Sequence, residues 1–149
     1  MKYYIIITGL LLSKLTSASE VLPEVFNKVA EQENVPSKVL KAICWVESKH
    51  KNGSVNYFDG KSHSLGLCQV KLETARWLGY KGTEQELQFN PIINITYAAK
   101  YLSYQLERYN NMIDYAIAAY NSGSLIQNKY NKIVNRKYVE KVKEAMIRF

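Results

Sequence analysis

The stretch Pro36 to His50, PSKVLKAICWVESKH, decides how the chain is read, because it has the spacing of a helix whose apolar stripe includes a carboxylate. Leu40, Ile43, Cys44 and Glu47 lie three or four residues apart and share one face, while Lys38, Lys41 and Lys49 point elsewhere. Pro36 suits the first helical position, where no N–H is needed. Glu47 therefore stands where an apolar side chain is expected. An apolar setting disfavours the charged form of a carboxylate, which is what a general acid working near neutral pH requires. The plain alternative is a rim glutamate that reaches water.

Upstream, Val21 to Asn34 has helical spacing at Val21, Leu22, Val25, Phe26 and Val29, and predicts a covering helix separated from the Glu47 helix by the extended Val35 before Pro36. The first residues have the layout of a secretory signal: Lys2, an apolar run from Tyr3 to Leu12 too short to span a bilayer, then small and polar residues. This divides the chain into a signal at residues 1–19 and one domain at 20–149, about 130 residues, enough for a single core. Export to a periplasmic or extracellular location is the expectation.

Downstream, Lys51 to Leu65 loses helical periodicity and carries Asn52-Gly53 and Asp59-Gly60, turn signals for an irregular loop or a short hairpin forming one wall of a cleft. Gly66-Leu67-Cys68-Gln69-Val70 leads into a short helical pattern ending at Gly79. A glycine and apolar residues around a lone glutamine suggest tight backbone packing with one polar group turned to a site. Thr83 to Glu86 matches a capping box for a helix through Leu87, and Asn90-Pro91 opens the longest helix, to about Tyr109. Asn111 is read as the cap of the next helix, which stops at Gly123; Arg136 to Arg148 reads as a solvated outer helix. The fold class is mainly α.

The formal charge is +7, and the chain stays basic once Lys2 and Lys14 leave with the signal. In an exported protein this charge favours weak attraction to anionic envelope polymers. Cys44 and Cys68 either form a disulfide or serve as two small buried hydrophobes. His50 and His63 lack ligand partners at metal spacing and glycine-rich phosphate loops are absent, so no metal or cofactor and no nucleotide chemistry is expected. Twelve tyrosines on a basic chain come with no nucleic-acid recognition motif. Asn94-Ile95-Thr96 has the form of a glycosylation sequon but falls inside an expected helix.

Taken in order, Glu47-Ser48, Gly66-Leu67-Cys68-Gln69, Ala119-Tyr120-Asn121-Ser122-Gly123 and Tyr138-Val139-Glu140-Lys141-Val142 resemble the ordered motifs of soluble, goose-lysozyme-like lytic transglycosylases, E-S, G-L-M-Q, A-Y-N-A-G and Y-V-x-x-V. Cys68 replaces the usual methionine and Ser122 the usual alanine. The resemblance implies a lysozyme-like helical domain with a groove for peptidoglycan glycan strands. It implies Glu47 as the single catalytic acid and base, Gln69 and Tyr120 flanking the cleaved bond, Asn121 holding that region and Ser48 in support. The implied reaction is non-hydrolytic cleavage between N-acetylmuramic acid and N-acetylglucosamine, giving a 1,6-anhydro product.

Two alternatives stand beside that enzyme: a hydrolase using Asp59 as second carboxylate, and a non-catalytic glycan-binding or assembly protein. Expected partners are glycan strands and not nucleic acid, with the protein a monomer. Its small size suits a secretion or pilus machine, general wall turnover or a phage.

Overall fold

The computed structural model describes residues 18–58 and 62–149. Most of the expected signal segment, and Asp59, lie outside the described residues. Among the described residues, seven helices and three two-residue strands follow one another: α1 (Ala18–Gln32), α2 (Ser37–Ser48), β1 (Val55–Asn56), β2 (Ser64–Leu65), β3 (Val70–Lys71), α3 (Leu72–Trp77), α4 (Glu84–Phe89), α5 (Pro91–Arg108), α6 (Ile113–Ser122) and α7 (Arg136–Ala145), with a closing 3-10 turn at Met146–Arg148. This is the mainly helical, lysozyme-like architecture expected, with a hairpin-like sheet after the Glu47 helix.

Local signals set several boundaries. Thr83 and Glu86 form a reciprocal capping box at α4, and Asn90 accepts from the N–H groups of Ile92 and Ile93 to start α5. Gly123, at φ +80°, ends α6. Two expectations shift by one residue. Pro36 is the extended residue before α2 rather than its first helical residue, and Met112, not Asn111, precedes α6, because Asn111 is in the left-handed region at φ +59°.

The core joins one face of each long helix. Phe26 and Val29 of α1, Leu40 and Ile43 of α2, Ile95, Ala98 and Leu102 of α5 and Ile117 of α6 are buried together. α7 is not the solvated outer helix expected: Val139, Val142 and Ala145 are buried and the helix packs along α2. Ile147, inside the span expected to be helical, is 87% exposed, because the α-helix gives way to the 3-10 turn before it.

The sheet is antiparallel in the order β1-β2-β3, with Val55 opposite Leu65 and Leu65 opposite Val70. Its return from β2 to β3 is tight because Gly66 and Gln69 both have positive φ, at +73° and +53°. Behind this turn the buried Asn94 of α5 donates to the carbonyls of Leu65 and Leu87 and accepts from the Cys68 N–H, all at 2.8 Å. A short polar side chain thus satisfies three buried backbone groups, one each from β2, the following turn and α4. Cys44 and Cys68 are joined in a disulfide, with Cα atoms 4.1 Å apart, tying α2 to the same turn.

Candidate functional site

A cleft of about 420 Å³ runs between the end of α2, the sheet and the C-terminal end of α6, with Glu47, Ser64, Gln69, Tyr101, Tyr120 and Asn121 among its lining residues. The spacing that put Glu47 on the apolar stripe of α2 also brings it to the cleft floor, half-buried. The Tyr138 hydroxyl of α7 donates to Glu47 Oε1 at 2.5 Å. Burial, and next the negative charge of Glu47, hold the Tyr138 phenol well above its usual value of 10.0, so it keeps its proton and acts as the donor. Burial first, and then Glu47 and Tyr101, raise Tyr120 in the same direction.

The structure gathers Glu47, Gln69, Tyr120 and Asn121 around one cleft and leaves Ser48 outside its lining. The Ser48 hydroxyl donates to Leu67 O at 2.7 Å and accepts from the Lys51 N–H, so it binds the end of α2 to the loop. Gln69 donates inward, to Gly66 O at 2.8 Å and Ser54 O at 3.2 Å. The Tyr120 phenol donates to Cys68 O at 3.1 Å. Asn121 accepts from Asn135 Nδ2 at 3.0 Å. Donors that the resemblance aims at a reacting sugar are thus engaged in holding the cleft's shape.

Tyr138 was given no role from sequence. Its apolar companions Val139, Val142 and Ala145 were the signal, since they repeat at three and are buried, but the surrounding charges masked the stripe. Tyr101 was missed for a related reason: it lies next to the α5 stripe of Ala98 and Leu102 rather than on it, and so turns to the cleft.

Comparison with known proteins adds the family to this geometry. The model of the "Transglycosylase SLT domain" matches residues 24–143. The chain belongs to the transglycosylase SLT domain family. It is similar to protein IpgF of Shigella flexneri, at 30% identity over 126 residues, covering 83% of this chain and 79% of that protein. It is also similar to invasion protein IagB of Salmonella typhi, at 30% over 150 residues, and of Salmonella typhimurium strain LT2, at 28% over 145 residues. Those matches cover 97% of this chain and 90% and 86% of the respective relatives.

These relatives correct the activity expected from the motifs. They are named for invasion or for no reaction at all, so the SLT family is shown and the peptidoglycan lyase is not. The terms lyase, lytic transglycosylase and glycosidase are replaced by membership of the SLT family.

Proposed function

We propose that the cleft of this SLT domain holds peptidoglycan glycan strands on behalf of a secretion or invasion assembly in the cell envelope. That role requires the strand to be held and does not require a bond to break. The observation that carries it is the polar cleft itself, where the carboxylate, amide and hydroxyl groups of Glu47, Gln69, Asn121 and Ser64 line one trough. The hydroxyl and N-acetyl groups of a glycan need such donors and acceptors to replace water on binding. The basic charge draws the protein toward anionic wall polymers. Residues 1–19 act as the export signal and 20–149 as the binding domain, and relatives named as invasion proteins support the link to an assembly.

The test is cosedimentation with purified sacculi, with the supernatant searched for soluble muropeptides. Saturable pelleting of the wild type, weakened several-fold by Asn121→Leu, is the expected result. Absence of pelleting overturns the reading. Muropeptides released by the wild type but not by Glu47→Gln overturn it as well, and return the enzyme.

A further inference from the structure

The charge of the chain is spread unevenly. Residues 20–128 carry eleven lysines and arginines against eleven acidic residues, whereas residues 129–149 carry seven against two. The net positive charge of the domain therefore lies in that last segment. Arg136 pairs with Glu140 at 2.8 Å and Lys143 with Asp114 at 3.1 Å, which leaves Glu144 as the acidic side chain of the segment outside these pairs. Lys129, Lys132, Lys137 and Lys141 are exposed, with no carboxylate at salt-bridge distance among the described residues. The same segment turns apolar side chains outward. Between α6 and α7 the chain makes a small hairpin, in which the Val134 N–H donates to Ile126 O and the Asn128 N–H to Lys132 O, each at 2.9 Å, with Gln127 opposite Ile133. Successive side chains of such a pair point to opposite faces. Ile133 accordingly packs against the core, while Ile126 and Val134 face away from it. Tyr130, at the tip, is 69% exposed and Val134 60%. The Asn128 carboxamide oxygen accepts from the N–H groups of Tyr130 and Lys132 and so fixes the tip's shape.

We propose that this hairpin, with the face of α7 that carries Lys137 and Lys141, docks the protein on an anionic lipid bilayer. Lys137 and Lys141 stand one turn apart and project from the same side of the helix. Anionic headgroups attract every lysine near the surface without asking for a fixed geometry, which suits four cations spread over a hairpin and a helix. Cations alone would suit any polyanion. The exposed Ile126, Tyr130 and Val134 set among them select a surface with an apolar interior. The ring of Tyr130 belongs at headgroup depth, where its body is apolar and its hydroxyl stays wet. None of these side chains lines the cleft, so the proposal does not depend on what the cleft holds. The hairpin leaves from Gly123 at the cleft's edge, and Asn135 at its other end donates to Asn121 Oδ1. A docked molecule thus carries its cleft beside the bilayer.

The experiment is flotation of the full chain with vesicles of phosphatidylcholine alone and with about one-third phosphatidylglycerol. Residues 1–19 are common to every arm, so differences between vesicles and between variants report on the docking surface. Expected is partitioning about tenfold or more stronger onto the phosphatidylglycerol vesicles, collapsing in high salt. Lys129→Glu/Lys132→Glu and Lys137→Glu/Lys141→Glu should each lose most of that preference, and Tyr130→Ser/Val134→Ser, at unchanged charge, should bind several-fold more weakly. Lys38→Glu/Lys81→Glu removes the same charge elsewhere on the exposed surface and should bind within about twofold of the wild type. All these positions are exposed, and thermal melts confirm that each variant is folded. No preference for phosphatidylglycerol in the wild type overturns the proposal. An equal loss in Lys38→Glu/Lys81→Glu reduces the effect to net charge and overturns the surface. Full binding by Tyr130→Ser/Val134→Ser overturns the lipid assignment, because a polyanion gains nothing from apolar side chains. A wild type that ignores vesicles yet pellets with lipid-free sacculi through the same lysines assigns the face to an anionic wall polymer and overturns the bilayer.

Discussion

Tyr138 Oη lies 2.5 Å from Glu47 Oε1, across 91 positions of sequence, and pins α7 to α2 at the floor of the cleft. Hydrogen bonds to a charged acceptor contribute more than neutral ones. Tyr138→Phe keeps the ring and removes the donor, so it should lower unfolding free energy by about 1.5–3 kcal/mol. Urea unfolding checks this, and a double-mutant cycle with Glu47→Gln should give a coupling well above the scatter of independent sites.

The Cys44–Cys68 disulfide closes a loop over a sequence separation of 24 and fastens the turn behind the cleft to α2. Restriction of the unfolded chain by such a loop stabilises by about 3–4 kcal/mol. Cys44→Ala/Cys68→Ala should lose that amount in denaturant titrations. Added dithiothreitol should destabilise the wild type toward the double variant and leave the variant itself unmoved.

Asn94 is fully buried and serves Leu65, Leu87 and Cys68 at once. Asn94→Ala orphans two carbonyls and one N–H away from water, at a cost of about 3 kcal/mol or more. Gly66→Ala should also destabilise, because a Cβ there meets the Asn94 amide and the φ of +73° strains any L side chain. Thermal melts of both variants check the pair; a Gly66→Ala protein as stable as wild type would contradict the packing described.

His50 sits among Phe26, Trp45 and Phe149, with its Nε2–H donating to Lys41 O at 2.8 Å. Burial is the main reason its pKa lies below the usual 6.5, and the charge of Lys41 adds to it. In the unfolded chain this imidazole takes up a proton near 6.5, before the folded one does. Its contribution is therefore full above that pH and is lost as pH falls through the lower folded value. Melting temperature should drop between pH 7 and pH 5, and His50→Gln should flatten the part of that slope due to His50.

Features written within a few consecutive residues were legible in sequence. The Thr83–Glu86 box, the Asn90-Pro91 start and the Gly123 stop are local chemistry, and all three are where the sequence places them. The Glu47 stripe was legible because one face of one helix decides it. The Tyr138–Glu47 pairing was not, since its partners meet only once α2 and α7 are packed. The inward turn of the Gln69 amide depends on a backbone at φ +53°, which a non-glycine residue does not announce. The function read from the motifs was corrected by the relatives, because a motif records the architecture of a site more directly than its use.

The buried place of Asn94 has a practical consequence for anyone producing this protein in a eukaryotic host. A chain entering the endoplasmic reticulum exposes Asn94-Ile95-Thr96 to oligosaccharide transfer before it folds. A sugar attached to Nδ2 would be too large for a pocket in which that atom already meets two carbonyls. Secreted yeast or mammalian material would accumulate as misfolded glycoprotein, and Thr96→Val, which removes the acceptor signal and leaves Asn94 in place, would recover the native form.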